Sequence, residues 1–375
     1  MKHITIFREE DRYNSFPHIA YDHEGRLLLA HRRASKFSAD AAKNGLATHH
    51  DPDSEICLVH SDDNGYNWDL ANHKVIYKSP TYGVNDPAIT VLANGDVLVR
   101  FVVLNIAATN VVNPDQTLLF SHRSEHGLVT TVAGNLVLKS NDGGNVWQQL
   151  NLTTVKDFPN SCSRDPILEM EDGSWLMPVY TGAPQRSDIS WVIRSLDQGR
   201  TWCHPTMIAC DDNGKNSQLQ GINFNETSLL NMGSGRVIAL IRADGSFHTD
   251  DGFMPVGGMG EIYLSQSFDS GLSWTKARGI GLFGQPAALT HLRDGRILAT
   301  YGYRKKPYGV RCCISADEGR TWNLEDEVVI RHDSATWDCG YPFTIEKPDG
   351  SLFTVYYICD QIGVRFIAGT HWELA

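Results

Sequence analysis

The side chains best placed to do chemistry in this sequence stand immediately ahead of a recurring proline or threonine. Six times a Pro or Thr opens an apolar run, a Gly follows, and a second apolar run comes after it. The openers are Pro17, Pro87, Pro166, Thr227, Pro286 and Pro342, and the residues in front of them are Phe16, Asp86, Asp165, Glu226, Gln285 and Tyr341. Three carboxylic acids, an amide and a phenol therefore share one position of a repeat. Buried acids are costly unless paired, so a purely structural ring would have little use for three of them. For Asp86 and Asp165 two readings stand side by side: contact with a substrate, or capture of backbone N–H groups at a strand start.

A second repeat shows what must hold these residues. The pattern S-x-D-x-G-x-x-W occurs as SDDNGYNW (61–68), SNDGGNVW (140–147), SLDQGRTW (195–202), SFDSGLSW (267–274) and SADEGRTW (315–322), each after a short strand-like run. It suits a hairpin turn: the Asp accepts from N–H groups of its own loop, the Gly takes a positive φ, and the Trp packs beneath. These aspartates read as turn builders. The two repeats together make a four-stranded unit, an inner hairpin around the Gly and an outer one around the Asp box. Such a unit buries its faces only by stacking on copies of itself, and radial closure protects its edges. The predicted fold is all-β: a six-bladed β-propeller occupying residues 1–375 as one domain, with the six pre-Pro/Thr residues lining a common funnel. The last unit has a third strand, VRFIAGT, and no fourth. The N-terminal run KHITIF is expected to complete it and close the ring, which accounts for the missing sixth Asp box.

Composition is that of an ordinary globular chain, 41% hydrophobic and 21% charged. A formal net charge of −11 argues against nucleic acid or an anionic membrane as main partner. No stretch approaches a membrane span. The start, MKHITIFREEDR, lacks the apolar segment of a secretory signal, so a cytoplasmic location is expected. Eight Cys, including the vicinal Cys312 and Cys313, show no CxxC or disulfide framework and read as reduced thiols. No metal and no cofactor are expected.

With both repeats on the page, the chain resembles the sialidase superfamily of glycoside hydrolases, particularly its short bacterial members. The resemblance covers essentially the whole chain and includes DCGYPFTIEKPDGSLFTVYY in the last unit. It implies a retaining exo-glycosidase acting on a terminal acidic or unusual sugar, with carbohydrate as partner. NETSLLNMGSGRVIALIR resembles the segment holding the catalytic Glu and a substrate arginine, which nominates Glu226 and Arg242; the GYP segment nominates Tyr341 as nucleophile. LLAHRR resembles a strand ending in a substrate-binding arginine, assigned to Arg33 with Arg32 as the alternative. Arg304 and Arg311 compete for the arginine of the fifth unit. The general acid is expected at Asp51, with Asp53 and Asp40 as alternatives. His49 and His50, in the same loop, read as solvated or substrate-contacting, a metal pair being the other option. The chemistry is coherent: a carboxylate nucleophile would meet like-charge repulsion at an anomeric carbon bearing a carboxylate, whereas a Tyr deprotonated through a Glu avoids much of it.

The chain departs from the family at one place. Members carry an arginine two residues before the first Pro; here that residue is Ser15. Arg164 compensates from another direction, or it pairs with Asp165 or another acid. The loss keeps two other readings open, a propeller lyase acting on a uronate through His or Tyr, and a glycan-binding propeller without turnover.

Overall fold

Short alternating runs broken by Gly, Asp and Asn leave the chain little option but hairpins. The computed structural model describes residues 1–44, 49–108, 122–123, 128–153, 161–181, 188–211, 222–249, 252–255 and 260–374. They form a six-bladed β-propeller of antiparallel blades. The strands in chain order begin with β1 (Lys2–Phe7), followed by blade one: β2 (Tyr13–Tyr21), β3 (Leu27–Ala34), β4 (Glu55–Ser61) and β5 (Lys74–Lys78), with helix α1 (Lys36–Lys43) between β3 and β4. Blade two holds β6 (Tyr82–Val91), β7 (Val97–Ala108), the short β8 (His122–Arg123), β9 (Leu128–Ser140) and β10 (Gln148–Gln149). Blade three is β11 (Leu168–Glu169), β12 (Trp175–Thr181), β13 (Ile189–Ser195) and β14 (Cys203–Ala209). Blade four has β15 (Ile222–Gly233), β16 (Arg236–Thr249), β17 (Gly252–Pro255), β18 (Glu261–Ser267) and β19 (Arg278–Phe283). Blade five is β20 (Ala287–His291), β21 (Ile297–Tyr303), β22 (Tyr308–Ser315) and β23 (Val328–Ser334). Blade six comprises β24 (Gly340–Glu346), β25 (Leu352–Cys359), β26 (Arg365–Trp372) and β1, in the order β1-β26-β25-β24. The expected closure is therefore present: Lys2 pairs with His371 and Ile4 with Gly369.

The Asp boxes are the turns their sequence implies. In the first, Asp63 Oδ1 accepts from Asn67 N at 2.8 Å and from Ser61 Oγ at 2.9 Å, while Trp68 Nε1 donates to Gly65 O at 3.1 Å. Gly65 is at φ +86° and a Cβ there would come within 2.8 Å of the Phe353 ring, so the turn of blade one rests directly on blade six. Between blades the apolar strand faces interlock. Leu28 and Ile56 of blade one share a cluster with Ile89, Val99 and Leu138 of blade two. Leu27 and Val59 do the same with Phe353, Val355 and Ile367 of blade six. Each such side chain, fully buried, stabilises by about 1.5–3 kcal/mol.

What positions the axial residues is a break in the inner hairpins. The β2–β3 register slips between Ser15 and His18, β6–β7 between Asn85 and Ala88, β15–β16 between Asn225 and Thr227, and β24–β25 between Gly340 and Phe343. Phe16, Asp86 and Tyr341 take positive φ at these breaks (53°, 46° and 48°). A bulge re-aims the side chain of the extra residue, and backbone in this region is tolerated only where the surroundings enforce it, commonly at functional sites.

Candidate active site

Three of the six pre-Pro/Thr residues meet face to face. The Tyr341 hydroxyl donates to Glu226 Oε1 in a short hydrogen bond, and the Tyr341 ring packs edge-on to Phe16 at 4.6 Å. Glu226 Oε2 accepts from Arg242 Nη1 at 2.5 Å, and Arg242 Nε donates to Asp244 Oδ2 at 2.8 Å. Burial opposes ionisation of Glu226, but Arg242 and the Tyr341 hydroxyl outweigh it and hold its pKa down. Asp86 behaves oppositely. Burial, reinforced by the charge of Glu226, pushes it up to about 7, and its Oδ1 has no partner among the described residues. At neutral pH the pair thus holds an ionised Glu226 and an Asp86 that carries a proton much of the time. Tyr341 is raised well above an ordinary phenol by burial and by Glu226 and Asp86, so it rests protonated.

The remaining ring members play other parts. Asp165 is buried, and its Oδ2 accepts from Leu229 N of blade four at 2.9 Å, in keeping with the backbone-capture reading, one of the two given for it. Gln285 is fully buried, and neither side-chain polar atom has a partner among the described residues.

The adjacent arginines in β3 have different surroundings. Arg33 does not reach the axis: its guanidinium is tied to Glu9 at 2.6 Å and Glu55 at 2.6 Å. Arg32 is fully buried, donates through Nε to Val84 O at 2.9 Å, and lies 6.0 Å from the Phe16 ring, with Nη1 and Nη2 unpartnered among the described residues. It is the register partner of Ser15. The place where the family arginine would stand thus holds a small residue, and a guanidinium from the neighbouring strand lies beside it. Blade five resolves similarly. Arg311 pairs with Glu327 at 2.5 Å and stacks on Tyr303, so it is not an axial group. Arg304 is buried 5.7 Å from the Tyr341 ring, with Nε and Nη2 unpartnered among the described residues. Arg164 lies 5.5 Å from the same ring, but it donates to Ala287 O at 2.7 Å and Pro342 O at 3.2 Å, knitting blades three, five and six.

Asp51 is buried beneath α1 and fully engaged. Its Oδ2 accepts from Ser35 N, Ser35 Oγ and Ser38 Oγ, and its Oδ1 from Asp53 N. Burial would raise it, yet Arg32 and these donors hold it below its usual range, the opposite of what a proton donor needs. Asp40 and Asp53 are exposed, the latter pairing with Lys78 at 2.7 Å. His49 packs edge-on to Phe16 at 5.1 Å and turns its Nε2 to Asp338 Oδ1 at 3.1 Å; His50 follows, half-buried.

Several neighbours of this site went unremarked in the sequence. Asp338 is buried and accepts from Tyr13, Tyr357, Arg365 and His49. Burial would raise its pKa, but His49, Arg365 and Tyr13 drive it far below the usual range. Asp244 flanks Arg242, and Tyr180 feels the charges of Glu226 and Asp86. Asp338 stood three residues before Tyr341 in WDCGY, the one signal that could have drawn notice.

The family model described as BNR repeat-like domain matches residues 103–354, about two thirds of the chain. The chain belongs to that family. No curated protein matches it. Among solved structures, this BNR-repeat protein is similar over 100% of its length to a protein of unknown function from Dyadobacter fermentans, at 26% identity, 98% coverage of that chain and a TM-score of 0.80. A Hadza microbial sialidase aligns with 99% of the BNR-repeat chain and 68% of its own, at 16% identity and a TM-score of 0.65. The NanB sialidase from Streptococcus pneumoniae aligns at 13% identity over 99% and 70%, with a TM-score of 0.67. The BNR-repeat protein therefore shares the propeller fold of these sialidases.

Proposed function

We propose that this protein is a retaining exo-glycosidase acting on a terminal sugar that bears a carboxylate. The observation that carries the proposal is the hydrogen bond from Tyr341 to a Glu226 kept ionised by Arg242. In the first step Glu226 accepts the phenol proton as Tyr341 oxygen attacks the anomeric carbon, and the bond to the leaving oxygen breaks. The proton for that oxygen comes from Asp86, in place of the firmly hydrogen-bonded Asp51. In the second step Asp86 takes a proton from water, the hydroxide oxygen replaces Tyr341 at carbon, and Glu226 returns the phenol proton. Arg32 and Arg304, whose uncommitted N–H groups are buried beside the Phe16–Tyr341 pair, grip the substrate carboxylate. Solved relatives in fold include sialidases, which supports an acidic sugar as the class.

The test is turnover of a panel of chromogenic sialosides and uronosides by the wild type and Tyr341→Phe, with product configuration followed by NMR. A retained anomer and loss of turnover in the variant are expected; wild-type turnover by Tyr341→Phe would overturn the mechanism. A uronate elimination is the second reading, supported by His49, which Asp338 orients beside Phe16. It would announce itself in the same assay as ultraviolet absorbance of an unsaturated product.

A further inference from the structure

On the outer side of blade one, away from the axis, three metal-ligating side chains converge. His31 on β3 faces Cys57 on β4 in register, and His73 precedes β5, whose Val75 is the next register partner of Cys57. Antiparallel neighbours in one row point to one face of the sheet. One ligand atom each from His31, Cys57 and His73 lies within 4.8 Å of the other two, and the Nε2 atoms of the two histidines are 2.9 Å apart. Bond lengths of about 2.0–2.1 Å to nitrogen and 2.3 Å to sulfur put tetrahedral ligand atoms roughly 3.3–3.6 Å apart, so little movement would be needed to close them on one ion.

We propose that His31, Cys57 and His73 bind a single zinc ion. Two imidazoles and a thiolate are a borderline-soft set that suits Zn²⁺ better than Mg²⁺ or Ca²⁺. The outer shell supports it: His31 Nδ1 lies 3.2 Å from Arg32 O, and donating its proton there leaves the Nε2 lone pair facing the cluster. Phe7 of the closing strand β1 stacks on His73 at 4.1 Å and tilts over His31 at 5.1 Å, fixing both rings under an apolar cover. His31 and Cys57 are fully buried, whereas His73 is half-buried and offers the way in. On binding, the Cys57 thiol loses its proton to solvent and the S–Zn bond forms, with no change of oxidation state. The ion ties β3, β4 and the residue leading into β5 together beneath the strand that closes the ring, a structural task separate from the axial chemistry. Without an ion, the same two Nε2 atoms share one hydrogen bond, which is the arrangement the experiment must exclude.

Chelator-treated full-length protein, kept under a non-thiol reductant, is titrated with Co²⁺ and then Zn²⁺. One equivalent of Co²⁺ is expected to give a thiolate-to-metal charge-transfer band and tetrahedral visible bands, which Zn²⁺ abolishes, and Zn²⁺ is expected to raise the thermal midpoint. Cys57→Ser should lose the charge-transfer band. His73→Ala, at the half-buried position, should fold normally and weaken Zn²⁺ binding by more than about 100-fold, since even outer-shell partners of a ligand count for 10–100-fold. Absence of the band together with an unmoved midpoint in the wild type would leave only a histidine–histidine hydrogen bond and overturn the site. An equal Zn²⁺ response from His73→Ala would overturn it too.

Discussion

The phenol of Tyr341 in blade six donates its hydrogen bond to Glu226 in blade four, across 115 positions of sequence. Neither group is free to act alone: the Tyr rests protonated, and the Glu owes its charge to Arg242. Glu226→Gln keeps the shape but cannot accept the proton. We expect turnover to fall by about 10²–10⁴-fold, the usual worth of positioned acid–base catalysis, with KM little changed. Steady-state kinetics on the glycoside identified by the panel checks this.

Arg32 and Arg33 are neighbours with opposite fates. Arg32→Ala should raise KM for an acidic sugar by about 10–100-fold, consistent with about 1.5–3 kcal/mol for a hydrogen bond to a charged group. Arg33→Ala should leave KM unchanged, because its guanidinium serves Glu9 and Glu55. Parallel measurement of both variants, with circular dichroism to confirm folding, distinguishes an axial arginine from an outer one.

Asp86 gives a signature in pH. In the folded chain it holds its proton up to about 7, against an ordinary value of 3.8. Between those limits the folded state binds more protons than the unfolded one, so this group's contribution to stability falls as pH rises. Asp86→Asn should remove that slope from urea-unfolding midpoints measured across the window. The variant should also lose at least about 10²-fold on a substrate with a poor leaving group and far less on a nitrophenyl glycoside, which needs no proton.

Asp338 works in the other direction. Its folded-state pKa lies below the unfolded value, so its stabilisation is present above about pH 4 and is lost on acidification. Asp338→Asn leaves Arg365 buried without its counter-charge. We expect a loss of about 3–5 kcal/mol near neutrality and a shallower acid limb, both read from unfolding curves at several pH values.

The Asp boxes should answer only in stability. Asp317 accepts from Ser315 Oγ, Thr321 N and Thr321 Oγ. Asp317→Ala is expected to lower the thermal midpoint while kcat and KM stay at wild-type values.

The parts of this molecule that repeat were legible in the sequence, because a repeat states the same physical requirement several times. Five Asp boxes and six Pro/Thr-led hairpins fixed the blade count, and their phase alone brought Glu226 and Tyr341 to one place. KHITIF was assigned by exclusion, since the last unit lacked a strand and no other unit needed one. The choice between side-by-side arginines was not legible. Neighbours on a strand point to opposite faces, and the slip at Phe16 and Pro17 shifts which face a given residue meets. The surroundings of Asp51 were hidden for a different reason. The family resemblance nominated it as the acid, but Ser35 and Ser38, which occupy its oxygens, become its neighbours only once α1 folds back over it. Asp338 belongs to no repeat, and its four donors come from four separate stretches of chain.

The pairing of Lys2–Phe7 with Arg365–Trp372 also sets a timetable for biosynthesis. Strand β1 finds its partner only once β26 has been made, so the ring cannot lock before that point. Until then β1 and the growing edge are both open to wrong partners, and contacts this distant in sequence form slowly. A chaperone or a fast expression host should matter more to the yield of this protein than to that of a helical one of equal length.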